Sequence, residues 1–161
     1  MAEYLVVKPH NVVPLDKLDP VDAAPLADAA LTPMHALNRV RARLMGDSTV
    51  VVIGLGGLGH MGVQLLQATT GARIIALDTD PEKVRFAQDH GVHLALPSDG
   101  APAERVLACT GRTVAELREV ISLAEDGRIS VQVKRYALDD AVQAFDDLHH
   151  GKIQGRAVLV P

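Results

Sequence analysis

Ser48-Thr-Val-Val-Val-Ile-Gly-Leu-Gly-Gly-Leu-Gly-His-Met-Gly-Val-Gln-Leu-Leu66 is the stretch that decides the fold. Thr49–Ile53 is a short, apolar, β-branched run and reads as a strand buried on both faces. Gly54, Gly56 and Gly59 follow in G-x-G-x-x-G spacing, and from His60 the apolar positions Met61, Val63, Leu65 and Leu66 suit a packed helix. Strand, glycine turn and helix in that order form the context a dinucleotide fingerprint requires. The glycines serve a tight turn, close backbone approach to a diphosphate, and tight packing of helix on strand. The phosphates would sit at the helix N-terminus, where unpaired N–H groups and the helix dipole favour negative charge.

Outward from the turn, Arg73-Ile-Ile-Ala-Leu-Asp78 is a second apolar run that ends in a carboxylate. A dinucleotide fold carries an acidic residue about 20 residues past the glycines, accepting hydrogen bonds from the adenosine ribose. Asp78 favours NAD over NADP, because its charge repels a 2′-phosphate and no arginine immediately follows it. The same residues also admit a plainer reading, a glycine turn and a strand-end aspartate that caps the next helix.

A chain of 161 residues is one ordinary domain with room for a real core. Its net charge of −4 carries no basic footprint, which argues against nucleic acid as a partner. Cys109 is the one cysteine, so the chain forms neither an internal disulfide nor a cysteine-based zinc cluster. A cytoplasmic protein with no membrane partner is expected, since no basic leader or long apolar segment stands at the start.

Other elements follow from local signals. Tyr4–Val7 and Asn11–Val13 read as short strands. Asp19-Pro20 opens a short helix ending near Asp28, and Thr32-Pro33 opens another to about Met45. Asp80-Pro81 starts a helix that offers Val84, Phe86 and Ala87 to the core and stops at Gly91. His93–Leu96 is a third strand, Glu104–Cys109 a helix, and Thr113–Glu116 a capping box for a helix through Leu123. Ile129–Tyr136 alternates as a strand. Asp139 caps a last helix with Ala141, Val142, Phe145 and Leu148 as its apolar face, and Ala157–Val160 is a final strand. The alternation through Leu96 makes the first half of a doubly wound sheet, and no room remains for the second half.

These residues resemble the zinc-dependent, medium-chain alcohol dehydrogenases. The likeness runs from Ala2-Glu-Tyr-Leu-Val-Val through Ala24–Pro33 and Val51–Gly59 to about Gly111. It resumes from Ala115-Glu-Leu to Gly155-Arg-Ala-Val-Leu-Val-Pro161. It implies an α/β fold: a partial Rossmann domain, the first half of a doubly wound parallel sheet, with a small β remnant of a catalytic domain. It implies three parts: residues 1–31 as catalytic-domain remnant and linker helix, 32–111 as the NAD-binding half, and 112–161 as a segment returning to the remnant. There Ala2–Val13, Ile129–Tyr136 and Ala157–Pro161 could pair into a small sheet.

By the same resemblance Gly57 and Leu58 offer backbone N–H groups to the diphosphate, within the loop formed with Gly54, Gly56 and Gly59. Asp78 and Lys83 bind the adenosine ribose, Thr32 touches the nicotinamide side, and Arg156 adds a diphosphate contact. Asp28 stands where the family carries its third zinc ligand. Plainer roles remain for three of them: a solvated lysine, a surface arginine and a helix-end carboxylate.

The departures shape the function expected. The family's zinc also takes a Cys and a His from an N-terminal domain that this chain begins after, and its four-cysteine lobe is missing. Asp28 alone does not make a catalytic zinc site, which needs three protein ligands. Hydride transfer between a small alcohol or carbonyl and NAD is the family's reaction, and no catalytic residue is assigned here. The reading favoured for the chain alone is a truncated, internally deleted relative that binds the dinucleotide weakly and does not turn over. The alternative is an interaction or degenerate remnant with no specific ligand. Homo-oligomers could form through the sheet edge that the missing strands expose.

Overall fold

The structure, a computed structural model, describes residues 4–98 and 114–161. Its helical N-terminal part begins at α1 (Pro20–Ala23), where the Asp19 carboxylate accepts from the Val21 N–H at 2.7 Å and Pro20 fills the first helical position. A π-helical turn (Leu26–Ala30) then runs straight into α2 (Leu31–Val40). The helix expected to end near Asp28 therefore merges with the next. Ala29 and Ala30 are fully buried, which keeps the chain helical, while Pro33 withholds the N–H that the Ala29 carbonyl would need in an unbroken α-helix.

β1 (Thr49–Ile53), α3 (Gly59–Thr69), β2 (Arg73–Asp78), α4 (Pro81–Asp89) and β3 (Leu94–Pro97) build a parallel three-stranded sheet in the order β1-β2-β3. That is the half-sheet the glycine stretch foretells. Leu65, Met61, Ile74 and Ala76 are at most 1% exposed between α3 and the sheet, and α2 packs behind α3 with Met34 fully buried. Burial of each large aliphatic chain of this kind contributes about 1.5–3 kcal/mol. α5 (Val114–Glu125) lies on α2, joined by Glu116, which accepts from His35 Nδ1 at 2.9 Å.

Two expectations fail, both by exposure. β1 is buried on one face only: Val50 and Val52 face the helices, while Val51 is 50% and Ile53 59% exposed. Register sets Val51 beside Ile75 and Leu94, and Ile53 beside Leu77 and Leu96. Six aliphatic side chains thus tile one sheet face that nothing among the described residues covers. Parallel sheets are ordinarily covered on both faces, and among the described residues this one is covered on the helix side alone. Elsewhere, Val142, Phe145 and Leu148 point outward from α6 (Ala141–His149), which buries Ala144 and Asp147 instead.

At the N-terminus, Tyr4–Val7 and Asn11–Val13 form no strand; Pro9–Asn11 is a single 3-10 turn, since Pro9 cannot donate to a ladder. The expected remnant sheet is smaller than drawn: β4 (Val133–Ala137) pairs in parallel with β5 (Arg156–Val160), without residues 4–13, and Ala2 and Glu3 lie outside the described residues. Ile129 and Val131 precede β4 rather than belong to it, and a 3-10 turn at Leu138–Asp140 leads into α6 without a side-chain cap from Asp139. The helix at Glu104–Cys109 and the cap at Thr113 lie outside the described residues. No described helix is long and apolar enough to cross a membrane.

Asp147 ties this C-terminal part together. Its carboxylate accepts from the Tyr136 hydroxyl at 2.8 Å, from Lys134 Nζ at 3.0 Å and from Gln143 Nε2 at 2.9 Å. The Lys134 ammonium first, and the Tyr136 hydroxyl next, hold its carboxyl well below the usual range. A folded-state value below the unfolded one contributes stability that is complete above about pH 4 and is lost as the pH falls. Asp147→Asn is expected to lower the melting temperature at pH 7 and to flatten its decline in acid. Parallel melting-temperature profiles for the two proteins between pH 3 and 7 would remove Asp147 from that role.

Candidate functional site

The glycine turn is held by contacts that only glycine permits. Gly54 takes φ +86°, and a Cβ on Gly59 would lie 1.7 Å from the Gly54 carbonyl oxygen. α3 therefore starts hard against the end of β1, with its first-turn N–H groups presented at the carboxyl end of the sheet. Gly56 differs, since a Cβ there meets nothing within 4 Å. Its lack of a side chain answers no internal need and leaves the turn open to something from outside.

Asp78, 9% exposed at the end of β2, sits beneath this turn. One carboxylate oxygen accepts from the Leu55 N–H at 2.5 Å and the other from the Asp80 N–H at 2.9 Å. Each oxygen keeps a further lone pair, so the carboxylate both braces the loop and can accept from a ligand hydroxyl. Asp80 caps α4 through the Glu82 N–H at 2.9 Å, which lowers its own pKa.

An open cleft of about 90 Å³ runs along the turn. Gly56, Gly57 and His60 form one wall, Lys83 and Phe86 of α4 another, and Gln154 and Gly155 close over it from the C-terminal segment. Lys83 stands 3.5 Å from Asp80 at the rim. Gln154 donates to Glu82 at 3.3 Å and so bridges the C-terminal segment to α4. The backbone of that segment is fixed by Gly155, at φ +86°, where a Cβ would lie 2.3 Å from the Gln132 carbonyl oxygen. Arg156 follows, its N–H donating to that same carbonyl at 2.9 Å. Its Nη1 and Cδ lie 3.0 and 3.2 Å from where a Cβ of Gly57 would be, so the guanidinium crosses the glycine turn. The Arg156 guanidinium also meets the Asp28 carboxylate.

Of the expected site residues, Gly56, Gly57 and Lys83 line the cleft, while Gly54, Gly59, Asp78 and Arg156 adjoin the same glycine turn without lining it. Leu58 belongs to the turn, 42% exposed, but is not part of the cleft wall. Thr32 lies at the start of α2, also outside the wall. One cleft participant, Glu82, was missed by sequence reasoning. Glu82 carries no signal beyond that of a first-turn acid. His60, just past the glycine turn, is 6% exposed; its Nδ1–H donates to the Gly56 carbonyl at 3.0 Å, and its Nε2 is buried without a partner. Burial lowers its pKa, so the ring is neutral and Nε2 is an acceptor.

Among the described residues Asp28 belongs to no cluster suited to a metal. Among the described residues no group of three or more His, Cys, Asp and Glu side chains could hold an ion. A catalytic zinc centre takes three protein ligands, so these residues do not fit one.

Residues 32–159 match the zinc-binding dehydrogenase family. The NAD-dependent alcohol dehydrogenase of Sulfurisphaera tokodaii is 30% identical over 224 aligned positions that take in 99% of this chain and 64% of that one. Those positions outnumber the 161 residues here, so the relative carries sequence within the match that has no counterpart in this chain. Among solved structures, the Aeropyrum pernix alcohol dehydrogenase superposes with a TM-score of 0.76 at 26% identity, over 88% of this chain and 58% of that one. Acetophenone reductase from Geotrichum candidum, solved in complex with NAD, gives 0.76 at 25% identity over 91% and 57%. The chain spans less than two thirds of the length of the curated relatives it matches.

The two kinds of glycine part under substitution. Gly59→Ala is expected to destabilise the fold by about 3 kcal/mol or more, the upper end for single changes, because Gly54 must move. Gly56→Val is expected to leave the melting temperature within a few degrees while abolishing NADH binding. Unchanged NADH affinity in Gly56→Val would show that no ligand approaches the backbone there.

Proposed function

This chain belongs to the zinc-binding dehydrogenase family, and from that premise we propose that it holds the adenosine and diphosphate part of NAD(H) in the cleft beside the glycine turn, without completing hydride transfer on its own. The observation that carries the reading is the pairing of an open Gly56 with a buried Asp78 whose carboxylate braces the same loop. In this reading the diphosphate lies on the N–H groups of Gly57 and Leu58 beneath Arg156, and the adenosine ribose donates to Asp78 beside Lys83. Thr32 would stand toward the nicotinamide. Residues 1–31, 32–111 and 112–161 are its catalytic-domain remnant, cofactor half and returning segment, in a cytoplasmic protein.

Oxidation of an alcohol, or reduction of the matching carbonyl, is the family-typical reaction. No step is drawn through zinc, because Asp28 lacks companion ligands among the described residues. The bare sheet face favours a second reading, a chain that works through association. Val51, Ile53, Leu94 and Leu96 are each at least 42% exposed, and β1 carries no charged residue or proline to guard its open edge. Self-association is compatible with cofactor binding, since the cleft opens elsewhere.

Asp78→Asn keeps one acceptor oxygen and removes the charge. It is expected to weaken NADH binding about tenfold and to narrow the preference over NADPH, in line with the loss of a charged hydrogen bond. Equal affinities for both cofactors before and after the change would take Asp78 out of the ribose site. Ile53→Lys is expected to shift a concentration-dependent sedimentation profile toward the monomer; a profile unmoved at every concentration would set the open edge aside as an association surface.

A further inference from the structure

Asp28 and Arg156 are 128 positions apart in the chain, yet their side chains form an ion pair directly beside the glycine turn. Both ends are held by main-chain features. Asp28 rides on the π-helical turn, whose Leu26, Ala29 and Ala30 are at most 1% exposed. Arg156 leaves from Gly155, a residue that the Gln132 carbonyl fixes in place. Between these anchors the guanidinium gives Nη2 to Asp28 and lays Nη1 beside Gly57.

We propose that Asp28 is a positioning residue, not a metal ligand: it grips one edge of the Arg156 guanidinium so that the other edge stands ready over Gly57 for a dinucleotide diphosphate. The inference rests on the dinucleotide reading above and gives a carboxylate at the family's ligand position a different task. An arginine has five N–H donors in a rigid fork, so one edge can be committed while the other binds phosphate oxygens. A free arginine would spread over many rotamers, and ordering it would be charged against ligand affinity. Asp28 is half exposed, so solvent weakens both of its interactions, and its repulsion of the more distant diphosphate falls off more than its direct contact with the guanidinium.

The two effects of the carboxylate separate in Asp28→Asn, which keeps an acceptor oxygen and drops the charge. NADH titrations followed by cofactor fluorescence, at one ionic strength, would compare the wild type with Asp28→Asn, Asp28→Ala, Arg156→Ala and the double alanine variant. Circular dichroism would confirm that each is folded, and zinc content would be measured for each. The expected results are a loss of about fivefold in Asp28→Ala, affinity within about twofold of wild type in Asp28→Asn, and no further loss from Asp28→Ala once Arg156 is alanine. Zinc content should be the same in all.

Affinity that is unchanged or tighter in Asp28→Ala overturns the proposal, as does a loss that persists without Arg156. Zinc held by the wild type and lost in Asp28→Ala overturns it in favour of a ligand role. If Arg156→Ala weakens NADH and Asp28→Ala does not, the proposal fails while the dinucleotide reading stands. A wild type that binds no NADH removes both.

Discussion

The carbonyl oxygen of Gly54 occupies the space in which a side chain on residue 59 would begin, and from that collision the arrangement of the molecule follows. Because residue 59 has no side chain, α3 can leave β1 within one tight turn and lie back over the sheet. Met61, Leu65 and Leu66 then reach Ile74 and Ala76, and the core assembles behind them. The same closeness sets the first turn of α3 at the carboxyl end of the sheet, where the His60 N–H donates back to the Gly56 carbonyl at 3.1 Å. Asp78 completes the turn by taking the Leu55 N–H, so the loop is braced by the carboxylate that a ribose would meet. Fold and site share one set of atoms.

What could be read from the sequence was local. The β-branched run, the glycines, the Asp19-Pro20 and Asp80-Pro81 caps and the acid at Asp78 act over a few residues, and each produces the element expected of it. Where a reading failed, burial had been inferred from apolarity. Val51 and Ile53 are as apolar as any buried strand residue, and so are Val142 and Phe145 on α6, yet all four are exposed. Apolar composition shows that a surface prefers cover; whether a cover exists depends on chain elsewhere. Tyr4–Val7 is a third instance, strand-like in composition and with no strand to pair with among the described residues.

The site divided in the same way. Glycine positions were legible because steric exclusion is written into residue type. The meeting of Asp28 with Arg156, the bridge from Gln154 to Glu82 and the unpartnered Nε2 of His60 were not legible, since each depends on the C-terminal segment or on packing depth. These contacts also show how the C-terminal segment helps to order the glycine turn. β5 begins at Arg156, and its pairing with β4 fixes the guanidinium that crosses the turn. Gln132 and Ile153–Gly155, which lead into the two C-terminal strands, therefore line the cleft beside α3 and α4.

The most direct test is a calorimetric titration of the monodisperse protein with NADH, with metal content determined on the same sample. The account predicts saturable binding, one site per chain, in protein that contains no stoichiometric zinc. Absence of binding would contradict it, and would leave a glycine turn that shapes the fold but receives no ligand.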